Sequence, residues 1–220
     1  METEKTSVAH LVLVPGIITL AVTVLRLVGE LQHWPSVLFS RSAGGGGAIV
    51  GIAWLAFVFA VYFAIKVQRA GAVLPSSGKA IGLTLLALAV LIASIFLPFL
   101  AGGASKVVRL SLLAGLGAVL SVVSVLIMRP AWPAYWNVMV AYAIVARLPV
   151  ILVYFLAING SWNTHYDAFP PEYTIEGPRF VLVGLLPQLF FWVPWTVIFC
   201  GLFGIITAAI MKRRMVPASA

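Results

Sequence analysis

The polar residues of this chain concentrate in one segment, residues 159–179, which separates two long apolar stretches. Three of the six carboxylates, Asp167, Glu172 and Glu176, lie in this segment together with His165, one of the three histidines. A histidine and a nearby carboxylate are groups that general acid–base catalysis uses. His165 and Asp167 are therefore the candidate catalytic residues, although no recognisable nucleophile or oxyanion device accompanies them.

A second feature is the presence of charged residues within apolar stretches. Arg147 lies in the run AYAIVARLPVILVYF, and charged side chains at membrane depth are commonly paired or functional. Pro149 frees a carbonyl one turn earlier, which gives the guanidinium a local acceptor. Arg26 and Glu30, spaced i,i+4, predict an ion pair on one helical face. These residues predict either a structural ion-pair cluster or an anion-binding site, with Arg41 as a further anion-binding candidate.

Two histidines and a carboxylate could together bind a divalent metal ion. The candidate ligands are His33, His165 and Asp167, whose side-chain types suit such an ion. Their spacing matches no HExxH or related helical motif. We therefore predict no metal ion, and nothing in the sequence indicates a nucleotide, flavin or haem cofactor.

The composition excludes an ordinary soluble domain. The chain is 62% hydrophobic and 9% charged, with a mean hydropathy of +1.10, whereas globular proteins are roughly 25% charged. Unbroken apolar runs of about 20 residues indicate transmembrane helices rather than barrel strands. The sequence predicts an all-α integral membrane protein. We assign the net charge of +8 to membrane-flanking Lys and Arg residues, and predict no nucleic-acid binding.

The apolar runs predict a compact bundle of six transmembrane helices in a single domain, residues 1–220. Short connections join most of the runs, and only residues 29–47 and 158–179 form loops of any length. The predicted spans are 8–28, 48–67, 80–100, 107–128, 135–157 and 190–211.

The distribution of Lys and Arg predicts the orientation of the bundle. With six spans, one side collects eight of these residues, including Lys66, Arg129 and Lys212, and the other side collects four. Because positive residues favour the cytoplasmic side, we expect both termini to be cytoplasmic and both long loops extracytoplasmic. The compactness and short loops favour a bacterial plasma (inner) membrane.

The sixth apolar run is longer than one span requires. It extends from Phe180 to Met211, 32 residues or about 48 Å of helix, against about 30 Å of hydrocarbon. Pro187 and Pro194 interrupt it. We therefore expect the sixth helix to be kinked or to follow an interfacial segment.

Small residues in the apolar runs indicate where helices can approach closely. Gly47 and Gly51 form a small-xxx-small pair, and Gly115 lies among small residues of the fourth run. Such faces predict either packing within the bundle or an interface with a second copy or another membrane subunit. Membrane lipids are the remaining expected partners.

Three functions are consistent with these patterns. The first is a non-catalytic subunit, scaffold or lipid- or amphiphile-binding component. The second is a small transporter or channel that uses Arg147. The third is a membrane-embedded enzyme with an extracytoplasmic-face site that includes His165 and Asp167. A sealed pocket with these two side chains close together and facing inward would favour the enzyme, and an aqueous path along Arg147 would favour transport.

Overall fold

The computed structural model describes residues 7–45, 47–100, 112–168 and 180–215. All regular secondary structure in these ranges is helical, which confirms the predicted all-helical class. Five helices are long and apolar enough to cross a membrane, as expected for an integral membrane protein. Their ranges are Val8–Leu31, Ser77–Phe96, Ala114–Ala131, Pro133–Gly160 and Gln188–Arg213.

Six α-helices make up most of the described chain. They are α1 (Val8–Leu31), α2 (Leu55–Arg69), α3 (Ser77–Phe96), α4 (Ala118–Met128), α5 (Pro133–Gly160) and α6 (Gly201–Met215). A π-helical turn, Leu113–Gly117, leads into α4. Residues 188–200, here called the π-rich segment, lead into α6 and contain the π-helical turns Gln188–Trp192 and Thr196–Cys200.

Local sequence explains where several helices begin and end. The hydroxyls of Ser7 and Ser76 accept hydrogen bonds from the third residue of α1 and α3, respectively, as N-caps do. Pro133 occupies the first position of α5, where its missing N–H removes no helical bond. At the other end of α5, Ser161 adopts the left-handed conformation with φ 51°, which stops the helix.

Three helix pairs form the bundle: α1 with α5, α2 with α6, and α3 with α4. The centre is filled by buried aromatic side chains, and Tyr142 packs against Phe59 and Phe63 of α2. Tyr135 donates a hydrogen bond shared between the carbonyls of Ala60 and Gly201, so it joins α5 to both α2 and α6. Apolar side chains such as Leu13 and Ile17 of α1 are exposed on the outside, as in a lipid-facing helix.

Polar contacts identify the two ends of the bundle. At one end, called the Glu30 end, α1 terminates beside the turn formed by residues 161–168. At the other, the Lys212 end, Lys212 of α6 donates to the carbonyls of Leu74 and Pro75 in the connection between α2 and α3.

The second predicted span differs most from the structure. The prediction was 48–67, but α2 begins only at Leu55 and ends at Arg69. Its 15 residues extend for about 22 Å, less than the roughly 30 Å of a hydrocarbon core. The glycines Gly44, Gly45 and Gly47 have φ values of 71°, 83° and 73°, which a right-handed helix excludes, and they lie before the predicted span. Within it, the backbone N–H groups of Ile49 and Val50 donate to the Val37 and Leu38 carbonyls instead of to a helical turn. We call residues 32–54 the α1–α2 connection.

The remaining predicted spans overlap the helices, with different boundaries. α5 extends at both ends beyond the predicted 135–157, and the α-helical part of the third run ends at Phe96 before a 3₁₀ turn, Leu97–Leu100. The beginning of the fourth predicted span and the loop residues Glu172, Glu176 and Arg179 lie outside the described residues.

Candidate ligand-binding site

Glu30 is the centre of a buried polar cluster at the end of α1. Its carboxylate is 0% exposed and accepts a hydrogen bond of 2.8 Å from Arg26 Nε, in the i,i+4 pair that the spacing predicts. It also accepts a bond of 2.8 Å from the backbone N–H of His165, and lies 2.5 Å from His165 Nδ1. Glu30 therefore joins α1 to the turn after α5.

Arg26 fastens the α1–α2 connection to α1. Besides Glu30, its guanidinium donates to three backbone carbonyls: Val50 at 2.9 Å, Gly45 at 3.0 Å and Ser40 at 3.3 Å. Irregular backbone in a membrane protein is tolerated where its polar groups are satisfied inside the protein. Most donors of Arg26 are thus used within the chain, in contacts that hold the α1–α2 connection against α1.

Asp167 forms no ion pair with His165, the other candidate catalytic residue. Its carboxylate instead accepts hydrogen bonds from the backbone N–H groups of Asn163 and Thr164, at 2.8 and 2.7 Å, and from the Thr164 hydroxyl at 2.6 Å. Short-range bonds of this kind are what aspartate forms in turns. Asp167 therefore shapes the turn of residues 161–168, and the carboxylate partner of His165 is Glu30.

His165 is held as a neutral imidazole. Burial lowers the pKa of His165, and its hydrogen bond to Glu30 opposes that shift without reversing it. The neutral ring donates Nδ1–H to the Glu30 carboxylate, which leaves Nε2 with a lone pair. His165 also borders the cavity described below, so this nitrogen is a candidate hydrogen-bond acceptor for a ligand.

The lowered pKa of His165 predicts that the protein loses stability in mild acid. A histidine whose pKa in the folded state is below its unfolded value of about 6.5 contributes its full stabilisation above pH 6.5. That stabilisation decreases as the pH falls below 6.5. We expect the midpoint temperature of thermal unfolding in detergent to be lower at pH 5.5 than at pH 7.5. The His165→Gln variant, which cannot titrate there, should show a smaller dependence. If the unfolding temperature depended equally on pH in the wild type and the variant, the prediction would be wrong.

Arg147 is buried in the middle of α5 without a carboxylate partner among the described residues. The side chain is 5% exposed; Nη1 donates a hydrogen bond of 3.3 Å to Gln188 Oε1, and Nε has no partner. The guanidinium carbon lies 4.8 Å from the centre of the Trp192 ring, a cation–π contact. Arg147 does not join the Arg26–Glu30 pair, because Glu30 is occupied at the end of α1.

Gln188 and Trp192 were not among the candidates from the sequence. Both lie in the π-rich segment, one helical turn apart. The signal that could have identified Gln188 is its polar amide within an apolar run, since a buried amide needs hydrogen-bond partners. The partner residue itself could not be read from the sequence, because 41 positions separate the two residues.

A cavity of about 630 Å³ opens between α1, the α1–α2 connection, α5 and the π-rich segment. Its polar lining includes two guanidinium groups, an imidazole, two phenols and an amide, and the described residues contribute no carboxylate to its surface. Its apolar lining includes Ile52, Val150 and the indoles of Trp54 and Trp192. The polar lining residues are Arg26, Arg147, His165, Tyr154, Tyr166 and Gln188, with Thr23 beside them.

The three candidate metal ligands are not brought together. His33 has its Nδ1 3.2 Å from the backbone carbonyl of Glu30, and Asp167 is occupied in its own turn. In residues 7–45, 47–100, 112–168 and 180–215, no three His, Cys, Asp or Glu side chains gather as a metal site would need. The anion candidate Arg41 is half-buried and does not line the cavity.

Comparisons with known proteins add no functional assignment to this geometry. No protein-family model matches the chain, and neither the curated proteins nor the solved structures contain a significant match. The function is therefore argued from the chemistry of the cavity and from the buried Arg147 beside it.

Proposed function

We propose that this protein is a non-catalytic membrane component that binds an anionic amphiphile in the cavity at the Glu30 end. The observation that carries the proposal is Arg147, a buried cation that lines the cavity and has no carboxylate partner among the described residues. An anionic group in the cavity would supply the missing counter-charge.

The energetic argument rests on the environment of Arg147. A buried charge needs an opposite charge and good hydrogen bonds to offset its desolvation. Gln188 provides one acceptor and the face of Trp192 provides a weak electrostatic attraction, but neither carries a negative charge. Residues of this kind within membrane segments commonly mark ligand pathways.

The cavity walls support an amphiphile rather than a fully polar solute. Its volume falls within the range of about 300–1,000 Å³ that is usual for small-molecule sites, which combine apolar walls with a few polar groups. Trp54 lines the cavity and is also 50% exposed on the surface of the protein. A ligand could therefore place its head beside Arg147 and its hydrocarbon tail past Trp54, in the lipid.

We further propose six membrane crossings with both termini cytoplasmic, which would make the cavity extracytoplasmic. Five long helices, with α2 packed beside α6 and α5, support this count even though α2 alone is short. The excess of Lys and Arg at the Lys212 end supports the orientation. The π-rich segment and Pro194 support a sixth span that departs from a straight α-helix. The short connections between the apolar runs support a bacterial plasma membrane.

Removal of the Arg147 charge is expected to weaken the binding of anionic amphiphiles. The purified protein in neutral detergent would be titrated with dodecyl phosphate, laurate and dodecyltrimethylammonium. We expect saturable binding of the anions to the wild type, and binding at least about tenfold weaker for Arg147→Gln, because a charge-assisted hydrogen bond contributes about 1.5–3 kcal/mol.

Arg69→Gln is the matched control, because it removes an exposed arginine at the opposite end of the bundle. This variant should bind like the wild type. Equal binding of the anionic and cationic amphiphiles, or anion binding that Arg147→Gln leaves unchanged, would refute the proposed function.

A membrane-embedded hydrolase is the second candidate function, and the Glu30–His165 pair is the observation that favours it. A carboxylate that orients Nδ1–H leaves Nε2 able to accept a proton from a water molecule. The described residues supply no separate nucleophile, so water would attack an ester bond and the departing oxygen would take the proton back. Recovery of a bound ester amphiphile distinguishes the two functions: a binding protein returns it intact and a hydrolase returns the two products.

The transporter alternative would need a route from the cavity to the Lys212 end. Tyr142, Phe63 and Tyr135 are buried in the core between these regions, and their rings fill the space between α2 and α5. This packing supports a site that is closed on the Lys212 side, so transport through Arg147 would require a rearrangement of the core.

A membrane partner or a second copy remains part of the proposal. Gly51 is occupied within the chain, since a Cβ there would lie 3.1 Å from Arg26 Nη1. By contrast, a Cβ built at Gly47 or Gly115 meets no heavy atom within 4 Å among the described residues. Because Gly47 lines the ligand cavity, Gly115 is the position at which a partner helix could approach.

A further inference from the structure

The short helix α2 begins beside the cavity, which the residues just before it line. Its first turn begins at Leu55, and the preceding Trp54 provides no side-chain hydrogen bond to cap it. The first N–H groups of a helix have no intrahelical partner, and the helix dipole adds a partial positive charge there. Leu55 and Ala56 are buried, so the protein surrounds this helix terminus.

A count of residues from the Lys212 end places Arg147 at about the same height in the bundle as the beginning of α2. The Lys212 ends of α2 and α5 are neighbours, because Trp132 Nε1, just before α5, donates a hydrogen bond of 2.8 Å to the Ala72 carbonyl, just after α2. From these ends, Leu55 is 14 residues along α2 from Arg69, and Arg147 is 14 residues along α5 from Pro133. Each interval corresponds to about 21 Å of helix.

The same cavity connects these two positive groups. Ile52, Ala53 and Trp54, which lead into α2, line one part of it, and Arg147 lines another. Arg147 is the second and independent sign of a ligand, because it is a buried cation that lines the cavity and has no carboxylate partner among the described residues. Half-helix termini of this kind bind anionic groups at membrane depth in other architectures.

We propose that the cavity binds the phosphate group of a phosphomonoester amphiphile between the Arg147 guanidinium and the first turn of α2. The inference rests on the proposed function and specifies its ligand class. A tetrahedral phosphate directs oxygen atoms toward donors on several sides, whereas a planar carboxylate can be satisfied by one guanidinium fork. Phosphate also carries up to two negative charges, which suits two separate positive groups.

A carboxylate introduced at residue 53 tests this arrangement. Ala53 is exposed and lines the cavity next to the start of α2, so Ala53→Asp places a fixed negative charge where the phosphate would lie. Ala53→Asn is the matched control, with the same shape and no charge. Binding of dodecyl phosphate, laurate and inorganic phosphate would be measured by titration of the wild type and both variants in neutral detergent.

We expect the wild type to bind dodecyl phosphate at least about tenfold more tightly than laurate. Ala53→Asp should bind dodecyl phosphate at least about tenfold more weakly than Ala53→Asn, which differs from it only in the charge. Strong binding of inorganic phosphate would identify a free anion rather than a lipid headgroup as the ligand and would overturn the amphiphile part of the proposal.

The outcomes separate this inference from the proposed function. If anionic amphiphiles bind in an Arg147-dependent way but Ala53→Asp has no effect, or laurate is preferred, the phosphate site at α2 is wrong and the proposed function stands. If neither anion binds the wild type saturably, both are wrong.

Discussion

Replacement of Glu30 by alanine is expected to destabilise the protein by about 3–5 kcal/mol, which is typical when one partner of a buried ion pair is removed. Glu30 is fully buried and accepts hydrogen bonds from Arg26 and from the backbone of His165. Without it, the guanidinium of Arg26 remains partly buried with no counter-charge, and the His165 N–H and ring lose their acceptor. We also expect the turn of residues 161–168 to detach from α1.

The measurement is the free energy of unfolding from mixed micelles, with helical circular dichroism as the signal. Glu30→Gln is the informative comparison, since it keeps the size of the side chain and one acceptor oxygen but removes the charge. It should be destabilised less than Glu30→Ala. A Glu30→Ala variant as stable as the wild type would show that the cluster contributes nothing to folding.

Replacement of Gly204 by alanine is the second large expected effect, about 2–4 kcal/mol of destabilisation. A Cβ at this position would collide with the Tyr135 hydroxyl and would lie only 2.6 Å from the Ala60 carbonyl oxygen. The backbone carbonyl cannot move out of the way as the end of a flexible side chain could. Overpacking of this kind costs about 1–3 kcal/mol, and loss of the Tyr135 hydrogen bonds adds about 1 kcal/mol.

Gly82→Ala is the matched control, because it makes the same chemical change in α3, where no heavy atom of the described residues outside the local helix backbone lies within 4 Å of the new Cβ. In a helix interior this change should leave stability unchanged or raise it by about 0.5–1 kcal/mol. The same unfolding assay compares both variants. Equal stability of Gly204→Ala and Gly82→Ala would contradict the close contact between α2, α5 and α6.

The features that the sequence predicted correctly depend on short-range rules. Apolar runs of about the right length identify helices regardless of their neighbours, so the all-helical class follows from composition and run length. The Arg26–Glu30 pair follows from i,i+4 spacing on one helix. The predicted beginning of the second span was wrong, because the apolar residues 48–54 resemble the start of a helix although they form bends and turns.

The features that the sequence did not predict depend on contacts between distant residues. Glu30 and His165 are 135 positions apart, and their pairing requires α1 and α5 to lie side by side. The sequence pairs Asp167 with His165 as candidate catalytic residues. In the structure the Asp167 carboxylate instead accepts hydrogen bonds from backbone N–H groups three and four residues before it. Arg147 was recognised as unusual, whereas its neighbours Gln188 and Trp192 became visible only in the folded bundle.

The packing of α2 has a consequence for the order in which the bundle assembles during synthesis. Its main neighbour is α6, which is synthesised after the other described helices. With only 15 helical residues, α2 is shorter than the hydrocarbon core, so we expect it to be stably inserted only when α6 packs against it. In truncated chains that lack α6, α2 should therefore be less stably inserted, and the cavity next to its first turn would form only after α6 has been synthesised.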